Sequence, residues 1–393
     1  MNRTTSIFAA LALAASSSLV FAGSAKKTTN SKPLPPLPTY PNQLPLPTSP
    51  VSQNAARTQA AAASNGVITA AQLAEAAPDW SSKYTLYVNC PTAPSDVNFT
   101  DIQSAVNMAL ISTTIKVCPG TYEGGIVVPT SFVKIVGVGT HSGNEVIAGP
   151  TGPNPSDNSF GVLFTANNDV VENLTFNNLE FAVGTGLLFQ TGFGQVKSSW
   201  FNEDTVGVFS LAGYKTGVKE NHFVNNNYPV VSAAGVKEMI KGNIIEGDFL
   251  GDDDGILVLD SVSTDIETNT VTGVQNGLDY QFFNSFSWVE GNHFNENVVG
   301  VSIANNNSGN YFQSNIANDN LEVGFAADAT SGVQSQVNSG PNKFLKDQAS
   351  GNGSYDFIDG TFPYAGGNPA TNSKTANYYW GAKGKVASPA SIF

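Results

Sequence analysis

The sequence is poor in charge, and above all in arginine. Arg3 and Arg57 are its only arginines, and both precede the region expected to fold, so that domain works without a guanidinium group. Charged residues make up 12% of the chain, and the formal net charge is −13. Such a surface repels nucleic acids and anionic membranes, because phosphate binding depends on clustered lysine and arginine. We expect neither as a partner.

Cysteine is also scarce. Cys90 and Cys118 are the only two, and each precedes a proline at what reads as the end of an element. In an oxidising compartment we expect them to form a disulfide, which contributes about 3 kcal/mol in the chain-entropy model. Two buried free thiols are the alternative.

Long hydrophobic runs are missing as well. The apolar run at residues 7–15 follows Arg3, precedes small residues at positions 20 and 22, and is too short to span a bilayer. This pattern predicts a signal peptide over residues 1–22, no membrane span, and a secreted, periplasmic or cell-surface location. Residues 23–83 are rich in proline and alanine, which predicts an extended spacer or plain disorder.

Glycine, asparagine, serine, threonine and valine are abundant, which favours an extracellular all-β protein. From residue 84 onward a template recurs, with an apolar residue, an asparagine or serine three positions later, and a second residue, usually apolar, two beyond that. Successive starts are 26, 22, 22, 26, 23 and 23 residues apart. The copies are VVENLTF (170–176), VKSSWF (196–201), VKENHF (218–223), IKGNII (240–245), IETNTV (266–271), VEGNHF (289–294) and YFQSNIA (311–317), the last with its apolar start at Phe312.

This period predicts a right-handed parallel β-helix over residues 84–393, with coils about 4.8 Å apart. The template also predicts the direction of its side chains. Phe176, Phe201, Phe223, Ile245 and Phe294 should stack inside. The outward column should be Val171, Lys197, Lys219, Lys241, Glu267, Glu290 and Gln313, and the asparagines stacked at the following turn should be 173, 221, 243, 269, 292 and 315.

The stretches FTDIQSAVNMALISTTIKVCPGTYEGGIVVPTSFVKIVGVG (99–139) and TANYYWGAKGKVASP (375–389) resemble the opening and the ending of secreted pectin-lyase-like β-helix proteins. The resemblance implies a short amphipathic helix that caps the first coil. Thr100 or Asp101 would be its N-cap, and Ile102, Ala105, Val106 and Ala109 its apolar face. It also implies binding or processing of an extracellular polysaccharide, as a hydrolase or a lyase. A non-catalytic surface, envelope or adhesive protein is the alternative.

The stretch FLGDDDGILVLD (249–260) is the candidate site. Its Asp254-Gly255 resembles part of the Asn-Thr-Asp-Gly motif of polygalacturonases, which implies a catalytic pair of Asp254 and, on the next coil, Asp279. The family's Gly-His-Gly and Arg-Ile-Lys elements have no counterpart, so a solvated loop remains the alternative.

Oxygen ligands suit calcium, which indicates a calcium site for the same loop. Its predicted ligands are Asp252, Asp253, Asp254 and Asp260. The predicted substrate contacts are the aromatic residues Trp200 and Phe209, together with Gln281, two residues after Asp279. Packing of the two aromatic side chains beneath loops is the alternative.

Overall fold

The fold is known from a computed structural model, which describes residues 84–139, 145–149, 160–185, 192–249, 254–304, 307–327, 342–359 and 377–388. The predicted signal peptide and spacer lie outside these residues. The described residues all belong to one compact unit, Ala76–Phe393. The part of the chain that is described contains no helix that could span a bilayer.

Short strands form three parallel sheets, which we call A, B and C. Sheet A has 13 strands: β1 (Tyr84–Val88), β2 (Asn98–Phe99), β3 (Thr113–Val117), β6 (Lys134–Gly137), β9 (Val170–Glu172), β12 (Gln195–Lys197), β15 (Gly217–Lys219), β18 (Met239–Lys241), β21 (Asp265–Glu267), β24 (Trp288–Glu290), β27 (Tyr311–Gln313), β30 (Lys343–Leu345) and β33 (Tyr378–Trp380). Sheet B has 10: β4 (Gly120–Glu123), β7 (Glu145–Ala148), β10 (Thr175–Asn177), β13 (Trp200–Asn202), β16 (His222–Val224), β19 (Ile244–Glu246), β22 (Thr270–Thr272), β25 (His293–Phe294), β28 (Ile316–Asn318) and β31 (Gln348–Ser350). Sheet C has 11: β5 (Ile126–Val128), β8 (Phe160–Phe164), β11 (Phe181–Thr185), β14 (Val206–Leu211), β17 (Tyr228–Ala233), β20 (Asp254–Leu259), β23 (Asn276–Gln281), β26 (Val299–Ala304), β29 (Val323–Ala327), β32 (Tyr355–Asp359) and β34 (Ala387–Ser388).

From β3 to β32 each coil contributes one strand to sheet A, then one to B, then one to C, and the strands pair in register with those of the coil before. The predicted right-handed parallel β-helix is confirmed, with the hand that parallel crossovers almost always adopt. The predicted interior is confirmed too. Phe176, Phe201, Phe223, Ile245 and Phe294 have no exposed surface, and the first three rings stack with centroids 4.9 and 4.6 Å apart.

The turn between sheets A and B carries the predicted asparagine ladder. Asn221 donates from Nδ2 to Oδ1 of Asn243 (3.1 Å), and the same bond continues at 2.9 Å through 269, 292 and 315. The sequence did not indicate two further ladders. One follows sheet B, where Asn320 donates to Asn352 (2.9 Å), and one follows sheet C, where Asn342 donates to Asn377 (3.1 Å).

The first repeat was aligned one residue out of phase, so two predictions about it are wrong. Val171, not Val170, pairs with Val196, and it is fully buried. The outward position belongs to Glu172, which forms ion pairs with Lys134 (2.7 Å) and Lys197 (2.9 Å). Asn173 lies outside the ladder, because Leu174 takes the turn position and donates its backbone N–H to Ser199 Oγ (3.3 Å).

Helix α1 (Ile102–Asn107) lies against the first coil, and its side chains at 102, 105 and 106 join the core. Asp101 is its N-cap and accepts a hydrogen bond from Ser104 N (2.7 Å). The predicted Cys90–Cys118 disulfide is confirmed, with Cα atoms 5.2 Å apart. It joins the segment after β1 to the end of β3, so it ties the first coil to the second.

Candidate functional site

The predicted acid pair lies on neighbouring strands of sheet C, and both residues face away from the core. Ile256 points into the core, so Leu257 and its register partner Asp279 point outward. Asp254 opens β20 beside Gly255, where an added Cβ would meet the core side chain of Val271 at 2.4 Å. Gly255 and Ile256 therefore both face the core, so the alternation is interrupted here, and Asp254 before them lies on the outer side.

Asp279 is secluded although it points outward. Only 2% of its surface is exposed. Gln281 Nε2 donates to its Oδ2, whereas its Oδ1 has no hydrogen-bond partner. Burial raises the pKa of this carboxyl to about 6, against the opposing effect of the hydrogen bond from Gln281. A carboxyl that keeps its proton in mildly acidic solution has the property of a general acid.

Asp254 is 8% exposed and accepts a hydrogen bond from Asn276 Nδ2 (2.7 Å). Asn276 is also its register partner and lies three residues before Asp279 in β23. Strand rise and strand spacing therefore put the Cα atoms of the two aspartates about 11 Å apart. Carboxyl groups that flank a glycosidic bond are about 5 to 9.5 Å apart. These two reach that range only when their side chains lean toward each other.

The four predicted calcium ligands do not form one site. Asp252 and Asp253 lie outside the described residues. Asp254 and Asp260 lie at opposite ends of β20, about 20 Å apart at the rise of an extended strand, so one ion cannot contact both. The described residues contain no group of three metal-binding side chains.

The predicted substrate contacts also separate. Trp200 lies on sheet B, 36% exposed, with its ring edge-on to His222 at 4.5 Å. Phe209 lies on sheet C with its ring 5.9 Å from that of Phe181, and Gln281 is the hydrogen-bond partner of Asp279. Trp200 therefore belongs to a different face of the helix from the other two.

The outer face of sheet A carries an aromatic patch that the sequence did not single out. Its members are Phe286, Trp288 and Tyr311. The Trp288 and Tyr311 rings stack with centroids 5.3 Å apart and planes at 20°, and Phe286 is 70% exposed. Phe286 lies in the turn before β24 and is the most exposed large apolar side chain of the described residues, whereas Trp288 and Tyr311 are partly buried.

Hydrogen bonds hold this patch in place. Trp288 Nε1 donates to Glu290 Oε2 (2.8 Å), and Gln313 Nε2 donates to Glu290 Oε1 (2.9 Å). Lys343 Nζ donates to the Tyr311 hydroxyl (2.9 Å) and lies 4.5 Å from the centre of its ring. Trp288 and Tyr311 are therefore each held by a hydrogen bond, and the polar partners lie at the edge of the patch.

The signal for this patch was present in the sequence. Residues i and i+2 of a strand lie on one face, so the residue before each apolar start shares the face of the outward column. That second column is Gln195, Gly217, Met239, Asp265, Trp288, Tyr311 and Lys343.

No protein-family model matches the chain, and no curated protein matches it. Among solved structures it is similar to the A-module of mannuronan C-5 epimerase AlgE6 of Azotobacter vinelandii, with 14% identity, 72% of this chain and 94% of that chain covered, and a TM-score of 0.47. It is also similar to an alginate lyase from Paenibacillus sp. (13% identity, 77% and 100% covered, TM-score 0.46) and to a rhamnogalacturonan lyase (12%, 70% and 75%, 0.42). At such identities and TM-scores these proteins carry no statement about activity. The architecture implied by the resemblance to pectin-lyase-like proteins is confirmed by the three parallel sheets themselves.

Proposed function

We propose that this protein binds an extracellular polysaccharide along the outer face of sheet A, with the aromatic patch as the central contact. The observation that carries the proposal is the stacked Trp288–Tyr311 pair beside Phe286, which leaves 70% of its surface exposed. Sugar rings present flat C–H surfaces, and aromatic rings are the side chains best suited to pack against them. The predicted export signal and spacer agree with a role outside the cell.

The hydrogen bonds that hold Trp288 and Tyr311 support a binding role. Glu290 fixes the indole of Trp288, and Lys343 fixes the phenol of Tyr311. A ligand that docks on fixed rings loses little side-chain entropy on binding. Stabilisation of the sheet by cross-strand aromatic contacts is the competing explanation, and it predicts a loss of stability without a loss of binding.

The layout favours a polymer over a single sugar. Phe286 and Trp288 belong to one coil, Tyr311 to the next and Lys343 to the one after. Successive coils are about 4.8 Å apart, so the patch extends along the helix axis. An extended chain can contact several coils at once.

The test measures binding of the full exported chain to a panel of neutral and acidic polysaccharides, by affinity electrophoresis and calorimetry. Trp288→Ala and Tyr311→Ala should each weaken binding about tenfold, because each removes a large apolar contact. Trp200→Ala is the matched control, since it removes an exposed, ring-paired aromatic from sheet B. It should bind like wild type.

Melting temperatures of all three variants keep folding and binding apart. Failure of the wild-type protein to bind any polymer would contradict the proposal. So would a Trp288→Ala variant that folds and binds with unchanged affinity.

One observation favours a second activity, cleavage of the glycan on sheet C. Asp279 is a buried carboxyl with an unpaired Oδ1 and a pKa raised to about 6. In this proposal Asp279 is the general acid and Asp254 the second carboxylate. Its test is the first prediction of the Discussion.

A further inference from the structure

Three lysines are stacked on the outer face of sheet A. Lys197, Lys219 and Lys241 are register partners on β12, β15 and β18, so their Cα atoms lie about 4.8 Å apart. Like charges directly opposite one another on adjacent strands are destabilising. The repulsion between these positive charges must therefore be offset by negative groups, either of the protein or of a ligand.

Of these three lysines, only the two at the ends of the column pair with a carboxylate among the described residues. Lys197 pairs with Glu172 (2.9 Å), and Lys241 pairs with Glu267 (2.6 Å). Lys219, between them, has no acidic partner within 4.0 Å among the described residues.

Two further lysines border the same place. Lys215 and Lys237 follow Tyr214 and Val236, which bridge adjacent coils, so these two lysines are stacked as well. Neither has an acidic partner within 4.0 Å in the described part of the chain. Lys215 instead lies 5.3 Å from the ring of Phe193.

Lys215, Lys219 and Lys237 border a cleft of about 440 Å³, which we call the lysine cleft. Its lining includes Gln195, Gly217 and Met239, from the column that lies between the two lysine columns. A Cβ added at Gly217 would meet Gln195 Oε1 at 2.3 Å, so the lack of a side chain there lets the Gln195 amide lie over Gly217 and line the cleft.

The charge of the cleft is opposite in sign to the net charge of the whole molecule. Asp265 is the one carboxylate among its lining residues, against three lysines. The chain carries a net charge of −13. A local positive cleft on a negative protein attracts an anion to that place and repels it elsewhere.

We propose that the lysine cleft binds the acidic groups of an anionic polysaccharide, one that carries carboxylate or sulfate along its chain. This rests on the proposed function, since it names the class of polymer that the same face of sheet A takes. The cleft and the aromatic patch share one face and one column, with Asp265 between Met239 and Trp288. A chain lying along the helix axis contacts lysines at one end and aromatic rings at the other.

The experiment compares polymers that share a backbone and differ in charge. The probes are polygalacturonate, the same polymer with its carboxylates methyl-esterified, heparin and single-stranded DNA. Binding to the full chain is measured by calorimetry at about 0.01 M and about 0.15 M ionic strength, where the screening length falls from about 30 to about 8 Å. The variant is Lys219→Met with Lys237→Met, which keeps the length of the side chains and removes two charges.

The control is Lys116→Met, which removes a charge from the same sheet, outside the cleft, where the lysine lies 5.8 Å from the ring of Tyr87. We expect wild type to bind polygalacturonate or heparin at least about tenfold more tightly than the ester at low salt. The double variant should lose about tenfold in affinity for the acidic polymer and most of its salt dependence. It should bind the ester like wild type, and the control should resemble wild type throughout.

Equal affinity for the acid and its ester would overturn the inference and leave the aromatic contact of the proposed function standing. Unchanged binding by the double variant would do the same. DNA binding as tight as that of the acidic polymers would replace a glycan site with a general polyanion site. Failure of every polymer, the ester included, would overturn both proposals.

Discussion

Charged side chains on the outer face of sheet C are buried, whereas those on the outer face of sheet A are at least partly exposed to solvent. On sheet C, Asp254 and Asp279 point away from the core, yet they expose only 8% and 2% of their surface. On sheet A, Lys241 and Lys343 in outward positions are exposed. Both faces belong to the same coils. An outward position in the repeat therefore does not by itself decide whether a charged side chain is exposed to solvent.

The difference lies in hydration. A secluded carboxyl is destabilised in its charged form and keeps its proton, as the raised pKa of Asp279 indicates. The lysines of sheet A stay in contact with water and act as fixed positive charges. Sheet C therefore has the means for proton transfer, whereas sheet A has the means for recognition.

The largest effect should come from removing the proton of Asp279. If sheet C cleaves a glycan, Asp279→Asn should lower turnover at least about a hundredfold, because the amide keeps the shape and cannot donate the proton. The melting temperature should hold or rise. The measurement is release of reducing ends and of unsaturated products from the polymers that bind.

Asp347→Asn is the control for this variant, because it neutralises a buried carboxyl in the turn between sheets A and B, away from sheet C. It should leave turnover within about twofold of wild type. Full activity of the Asp279→Asn variant would exclude Asp279 as the acid. Sheet C would then have a structural role, and the two faces would differ in solvent exposure but not in catalytic chemistry.

The sequence predicted the fold because the fold repeats. One template in phase identified the core phenylalanines, the turn asparagines and the outward column, and the two cysteines were the only possible disulfide partners. The misalignment at Val171 arose at the first copy, where Asn173 imitates the ladder residue and no earlier coil corrects the register.

The site could be predicted only in part. The resemblance pointed to Asp254 and Asp279, but burial, hydrogen bonds and pKa depend on neighbours 22 to 26 residues away and cannot be seen in a local stretch. The aromatic patch could not be predicted from the template, because Trp288 and Tyr311 lie in the second outward column of sheet A, one residue before each apolar start. The cleft was missed because Lys215 and Lys237 lie in the preceding turn, outside the template.

A smaller effect should appear in the pH dependence of stability, because the turns of the β-helix contain buried carboxyl groups, as sheet C does. Burial raises the pKa of Asp347 to about 7, although its Oδ1 accepts hydrogen bonds from N (2.8 Å) and Nδ2 (2.9 Å) of Asn315. Burial likewise raises the pKa of Asp169 to about 8 and that of Glu238 to about 7. Because the folded pKa values of these three groups exceed the unfolded ones, their contribution to stability is full below about pH 4 and falls as the pH rises toward 8.

The melting temperature of wild type should therefore be higher at pH 5 than at pH 8 by several degrees. Asp347→Asn keeps the acceptor and cannot ionise, so it should raise the melting temperature at pH 8 by a few degrees and leave it unchanged near pH 4. Asp319→Asn, at an exposed position, should do neither. A wild-type protein that is more stable at pH 8 than at pH 5 would contradict the assignment of these carboxyls as secluded.

The smallest effect should come from Glu290→Gln, which tests whether the charge of this residue or its hydrogen bonding matters to the aromatic patch. The amide oxygen can still accept from Trp288 Nε1, so the indole should stay in place and affinity for an uncharged polymer should stay within about twofold. One negative charge is lost next to the patch, so affinity for an acidic polymer should rise about twofold at low salt, and the gain should vanish at higher salt. Glu246→Gln on sheet B, where the carboxylate pairs with His222 (3.1 Å), is the control and should change neither affinity. Calorimetry with polygalacturonate and its methyl ester measures both. A tenfold loss of affinity for either polymer would show that the carboxylate itself contacts the ligand. Glu290, and not the lysines, would then be the main polar contact of the patch.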